Sequence, residues 1–350
     1  MQRTFALSLL VFLMSESAPA QQQPVLSKTD RIRLAEAFRL GDAVGDQIWT
    51  GWSKAPFAVL LVTPEHEFLV RHPNPSSDFI SIGYDSTLKS KVWVRKRVFQ
   101  KDFLATFPAV GGVSTIVVGQ AENTSAKSST PWVVTLLHEH FHQLQDSRPG
   151  MNEDVEALNL TRGDKTGMWM LNYPFPYESP DVGNQVSALS KLLAEAIESE
   201  KSDFAARLAA YLQARQQLEK MLSPDDYKYI SFQLWKEGIA RYTEYHVAKL
   251  AAASYKPSDE FKNLKDYTPF QETADSLLKN IVGELRTLPL ANYKRVAFYY
   301  LGAGEGLLLD RANPSWRRRY FTDKFFLEKY FTRLRNRHRQ ADKYATPWQM

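Results

Sequence analysis

Residues 138–142 read His-Glu-His-Phe-His, so His138 and His142 stand four positions apart with Glu139 between them. On an α-helix, side chains four apart lie one above the other on the same face. Two imidazoles placed this way can share one Zn²⁺ through bonds of roughly 2.0–2.1 Å. Glu139 then sits beside the metal, where its carboxylate can take a proton from a metal-bound water, which is the chemistry of a zinc hydrolase. The pattern has three fixed positions, and chance alone supplies it in about one chain of this length in a hundred. A third ligand in a sensible place is what would lift it above coincidence.

The residues before the motif suit a helix start. Ser128, Ser129, Thr130 and Pro131 make Thr130 an N-cap and Pro131 the first helical residue, where its missing N–H costs nothing. Trp132, Val133, Leu136, Leu137, Phe141 and Leu144 then form an apolar stripe of near-helical spacing, so the helix is mostly buried. Histidines on a buried helix need partners, and a metal is one. His140 points to a different face from His138 and His142 and reads as a surface or hydrogen-bonded histidine. Gln145 follows His142 by three positions; it either approaches the site or is a plain polar helix residue.

A candidate third ligand comes much later. Residues 234–246 read Leu-Trp-Lys-Glu-Gly-Ile-Ala-Arg-Tyr-Thr-Glu-Tyr-His. This segment resembles the second zinc motif of gluzincin metallopeptidases, most closely in its aminopeptidase-N form. That motif has Glu-Gly, a small residue near Ala240, an aromatic near Tyr242, and a second glutamate two helical turns on. The resemblance implies Glu237 as the third ligand and Gly238 for close helix approach. It also implies that Glu244 accepts a hydrogen bond from a ligand histidine and fixes its tautomer. Glu237 and Glu244 are seven residues apart and so share a helix face. The gap from His142 to Glu237 is several times longer than in that family, so an inserted segment separates the two zinc helices. The resemblance covers two short motifs and not the whole chain. Gly119-Gln-Ala-Glu-Asn123 is similar to the segment with which aminopeptidases grip a substrate N-terminus, but Ala121 replaces a methionine and His138 follows too soon; a strand-end turn is the other reading.

Zinc peptidases commonly stabilise the oxyanion with a tyrosine or histidine, and Tyr300, Tyr299, Tyr242 and His246 are candidates here. The run Tyr299-Tyr-Leu-Gly-Ala-Gly-Glu-Gly306 is unusual for a helix, because each interior glycine costs about 1 kcal/mol relative to alanine. Close packing against another backbone would account for it.

These residues need a scaffold. Residues 28–44 have helical periodicity, with Gly41 as a stop signal. Residues 57–63, 67–70, 92–99 and 115–118 read as strands ahead of the zinc helix. In gluzincins such a sheet lies above that helix, and its edge strand can bind an extended peptide. Ser114, Thr115, Ile116, Val117, Val118 and Gly119 are the expected edge. After residue 130 the pattern is helical at 185–200, 202–222, from Ser223 through Glu237, at 271–286, at 290–310 and from Asp323 onward. Residues 147–152 and 173–184 look like linkers. The expected fold class is α+β: a small N-terminal mixed or antiparallel sheet over a zinc-binding helix, followed by a mainly α-helical C-terminal part. The expected division is 1–20 as a signal peptide, 21–129 as an α/β subdomain, and 130–350 as a helical subdomain carrying both zinc motifs.

Arg3, the apolar run from Phe5 to Met14, and Ala18-Pro19-Ala20 have the form of a secretory signal. The chain has no cysteine, which excludes disulfides and a lipid-anchored form and suits a bacterial periplasm. Periplasmic or secreted bacterial localisation is therefore expected, with no transmembrane anchor after signal cleavage. The net charge is +5, and arginines gather at 317–319 and at 333, 335, 337 and 339. A solvated face or tail explains them; weak contact with anionic envelope surfaces is the other reading. Nucleic acid is not an expected partner. Together these features point to an exported metallopeptidase of gluzincin type, with one Zn²⁺ per chain and a peptide or protein substrate. The alternative is a non-catalytic envelope binding protein, or a degenerate peptidase that keeps zinc as a structural staple.

Overall fold

The computed structural model describes residues 24–331. The expected signal peptide, the arginines at 333–339 and most of the expected tail helix lie outside the described residues.

The chain opens with α1 (Lys28–Ile48), capped by Ser27, whose hydroxyl accepts from the Asp30 N–H at 3.1 Å. The helix does not stop at Gly41. That glycine instead gives room to neighbours: a Cβ there would lie 3.1 Å from Phe57 and 3.3 Å from Leu137. Six strands follow: β1 (Val59–Val62), β2 (His66–Val70), β3 (Ile80–Asp85), β4 (Ser90–Lys96), β5 (Leu104–Val110) and β6 (Val113–Gly119). They form one mixed sheet of order β3-β4-β2-β1-β6-β5. Only β1 and β6 pair parallel; the other neighbours run antiparallel.

Alternation sorts the sheet into two faces. Val59, Leu61, Phe68, Val70, Val94, Ile116 and Val118 join the main core with the helices. Leu60, Val62, Leu69 and Val117 form a second cluster on the other face, covered by Phe79, Phe99, Phe103 and Phe107. Two strands carried weak sequence signals. β3 is largely exposed and interrupted by Gly83 at φ 106°. β5 contains Pro108, which lies within an irregularity of the β5–β6 ladder between Phe107 and Val110. Proline is tolerated there because β5 is an edge strand.

The zinc-motif helix is α2 (Ser129–Asp146). It begins two residues before the expected start, with Ser128 as N-cap and Pro131 inside the first turn, while the Thr130 hydroxyl donates to the Thr268 carbonyl at 2.6 Å. A long irregular stretch with short helical turns then leads to α3 (Pro180–Glu198) and α4 (Phe204–Met221), which pack together. Its residues 173–177 are a packed loop: Tyr173 and Phe175 are buried, and Tyr173 stacks on Tyr229 at 4.2 Å. Next come α5 (Pro224–Gln233), a π-helical turn at Leu234–Gly238, and α6 (Ile239–Ser254), without a break. The helical part closes with α7 (Phe270–Thr287) and α8 (Ala297–Ala312), both packed on α6. The architecture is α+β, a mixed sheet in the N-terminal half and a mainly helical C-terminal part. Among the described residues, no helix is long and apolar enough to cross a membrane.

Candidate metal centre

His138 and His142 stand on one face of α2, their ring centroids 5.1 Å apart. Glu237 is the carboxylate that meets them. It lies in the π turn, a distortion that is frequent at functional sites because it redirects side chains within a continuous helix. One ligand atom each from His138, His142 and Glu237 lies within 4.8 Å of the others. A tetrahedral ion with bonds of roughly 2.0–2.1 Å separates its ligands by about 3.3 Å. His142 Nε2 and Glu237 Oε2 are already 3.3 Å apart. Two imidazoles and a carboxylate are also a donor set that zinc accepts, so the residues present fit the ion.

Close backbone packing makes this geometry possible. A Cβ on Gly238 would come within 2.3 Å of Gly302 Cα, and one on Gly302 within 2.4 Å of the Leu234 carbonyl. The π turn and α8 therefore touch backbone to backbone, as the glycine-rich sequence suggested. This brings the first turn of α8, with Tyr299, up to the histidines. Tyr299 lies parallel to His138, with ring centroids 6.2 Å apart and 9° between planes.

Each histidine has its second ring nitrogen held. His138 Nδ1 lies 3.4 Å from Glu244 Oε2, the role the gluzincin resemblance implied. Glu244 in turn accepts from Arg241 Nη1 at 2.7 Å. His142 Nδ1 meets Gln145 Oε1 at 2.7 Å. The Gln145 amide nitrogen faces the Lys236 carbonyl at 3.2 Å and the Tyr320 hydroxyl at 2.7 Å. A carbonyl beside that nitrogen fixes the amide orientation, so its oxygen faces the imidazole and Nδ1 carries the proton. Nε2 of His142 is thereby left toward Glu237. His138 pairs with the later glutamate and His142 with the earlier one, so α2 and α6 run in opposite directions across the site.

The charges are arranged consistently. Burial alone would raise the Glu237 carboxyl, but His142, by charge and hydrogen bond, and then Arg295 outweigh it and hold the group well below the usual carboxylate range. Burial opposes charge on His142, and Glu237 overcomes it and pushes the imidazole up. Arg295 Nη1 lies 3.4 Å from the other Glu237 oxygen and donates to the Tyr299 hydroxyl at 3.0 Å. Burial, with the Glu237 charge, keeps the Tyr299 phenol protonated far above its ordinary range. Glu139, next to His138, accepts from the Thr106 hydroxyl at 2.7 Å.

Of the four expected oxyanion candidates, Tyr299 reaches the histidines. Tyr242 and His246 do not belong to the site: the Tyr242 hydroxyl donates to Asp310 at 2.8 Å and His246 Nε2 lies 3.0 Å from the same carboxylate. They sit on faces of α6 turned away from Glu237 and Glu244. Tyr300 is half-buried and turns toward Tyr293, ring centroids 6.0 Å apart. The expected edge strand is also corrected. Ser114, Thr115, Ile116, Val117, Val118 and Gly119 lie in β6, which is paired on both sides, by β1 and β5. The edge next to it is β5, whose irregular Pro-containing sequence hid it. The Gly119–Asn123 segment is a turn at the end of β6, and its Glu122 pairs with Arg33 at 2.8 Å.

His140 is buried and stacked on Phe57 at 3.8 Å, with Nδ1 bonded to Gln143 at 2.9 Å. Thr106, Arg295 and Arg241 were not anticipated as site residues. Nothing local marks them; Thr106 comes from a strand the sequence pattern missed, and the arginines are ordinary helix-surface residues until the helices pack. Comparison with family models, with curated proteins and with solved structures returns no match.

Proposed function

We propose that this protein is a zinc-dependent metallohydrolase of gluzincin type, acting on peptides, and exported if residues 1–20 are the secretory signal their sequence resembles. The observation that carries the proposal is the convergence of His138, His142 and Glu237 from two distant segments, with Glu139 beside them. When bound, Zn²⁺ supplies Lewis-acid chemistry, polarising a carbonyl and acidifying water. His138, His142 and Glu237 would hold it, with Glu244 and Gln145 fixing the imidazoles. Glu139 would act as general base on the attacking water and then pass the proton to the leaving amine. The Tyr299 hydroxyl accepts from Arg295 and hydrogen-bonds the Glu237 carboxylate, and its proton would turn to the developing oxyanion. An extended substrate can add to the open side of β5.

The competing role, a structural zinc staple, calls for a closed set of four protein ligands. Among the described residues the cluster has three members, which favours an open position for chemistry. The test is direct. Purified protein should bind one zinc per chain, and His142→Ala and Glu237→Ala should each lose the metal and any peptide cleavage. Wild-type protein that stays metal-free in excess zinc, or a Glu237→Ala variant that binds it unchanged, would overturn the ligand assignment.

A further inference from the structure

We propose that Thr106 is a positioning residue for the general base, holding the Glu139 carboxylate in the orientation that attack by water requires. This rests on the hydrolase reading of the same site. Thr106 stands on the edge strand β5, opposite Ile116 of β6. Its neighbours sort by face: Leu104 packs against the main core with the helices, and Phe107 packs into the cluster on the far face. Thr106 shares the helix side with Leu104, two residues away. Its hydroxyl reaches Glu139 twice, at 2.7 Å to Oε2 and 3.1 Å to the backbone carbonyl.

A hydroxyl has one proton to give, so the two oxygens of Glu139 share a single donor. The arrangement ties the end of a flexible side chain back toward its own backbone. The donor itself is stiff: a β-branched residue on a paired strand has few rotamers available. Among the described residues, no other side chain donates a hydrogen bond to this carboxylate. Oε1 is therefore left for water while Oε2 is held. The bond is also long-range, joining the sheet to the zinc helix where the open strand edge passes the site. The same strand that can receive a substrate thus carries the group that aims the base.

Thr106→Val keeps the shape and removes the donor, whereas Thr106→Ser keeps the donor. Misaligning a catalytic group costs on the order of 10- to 100-fold in rate. Thr106→Val should lower kcat by that factor, with KM and zinc affinity unchanged and the melting temperature close to that of wild type. Thr106→Ser should restore most of kcat. In a Glu139→Gln background Thr106→Val should have no further effect on the residual rate, because Thr106 acts through Glu139. A crystal structure of zinc-loaded Thr106→Val should show the Glu139 carboxylate displaced from its wild-type place. Wild-type kcat in Thr106→Val, a Glu139 carboxylate that stays in place, or an equal loss in the Glu139→Gln background would each overturn the assignment. A wild-type chain that binds zinc but cleaves no peptide overturns the hydrolase reading itself, and this role with it.

Discussion

Helix α2 presents histidines on two faces, and the two faces have opposite chemistry. Toward the sheet, His140 lies between Phe57 and Trp52 and is as buried as its neighbours. Its one polar partner on the ring is a neutral amide, Gln143, which is itself held by the carbonyls of Ala58 and Ser114. Burial drives its pKa down to about 3, against the weaker pull of that hydrogen bond. Toward the helical half, His138 and His142 are equally buried, yet each meets a glutamate. Burial by itself therefore says little about function. What separates the two faces is the charge and direction of the partners: burial among aromatic planes keeps one imidazole neutral, and the other pair faces carboxylates, the donor set a cation would need.

The largest effect that can break this contrast is on catalysis. Glu139→Gln keeps size and hydrogen bonding but removes the base, so hydrolysis should fall by roughly 10²–10⁴. Zinc binding should be nearly intact, since Glu139 is not a ligand; wild-type cleavage of a broad peptide library by this variant would end the proposed mechanism. His140→Phe, on the other face, should change neither zinc affinity nor kcat.

A smaller effect concerns how the ligands are held. Glu244→Ala removes the carboxylate behind His138 and leaves Arg241 without its partner, and zinc affinity should weaken by about 10–100-fold. Competition with a chelator of known affinity measures this. An unchanged dissociation constant would show that His138 needs no anion behind it and would reduce Glu244 to a structural ion pair.

The last effect is on stability alone and sharpens the other face. The folded-state pKa of His140 lies below its unfolded value of about 6.5, so the unfolded chain binds more protons between them. Stability contributed by the neutral ring is present above that unfolded value and is lost as pH falls below it, by up to about 1.4 kcal/mol per pH unit. Denaturant unfolding of wild type and His140→Phe from pH 7 to pH 4 should give curves whose slopes differ by this amount. Parallel curves would mean that His140 is solvated and not stacked between rings.

Much of the site could be read before any fold was known. His138, Glu139 and His142 are local in the chain, and a helical repeat is enough to put both imidazoles on one side. The Glu-Gly pair at 237–238 and Glu244 were legible through resemblance to a known motif, and the glycine-rich run at 301–306 announced a close backbone contact without naming its partner, Gly238. The strands β1, β2 and β6, with apolar runs, and β4, with alternation, were legible because burial on a pleated sheet leaves a mark in the residue pattern. β5 was not, because Pro108 and an irregular ladder erase that mark at an edge.

What the sequence by itself determined, then, is which residues can do chemistry and which short elements carry them, since both depend on interactions a few residues apart. Which partner each residue finds was decided by the tertiary structure alone. Tyr299 and Tyr242 look alike in the sequence, yet one stacks on His138 and the other bonds Asp310. Gln145 was equally a plain polar helix residue or one that approaches the site, until Tyr320 and the Lys236 carbonyl turned its oxygen onto His142. Thr106 reaches Glu139 only because an edge strand is laid against α2. Such pairings depend on packing between segments far apart in the chain, where sheet order, the π turn and a glycine contact set the distances, and no local pattern of residue types encodes them.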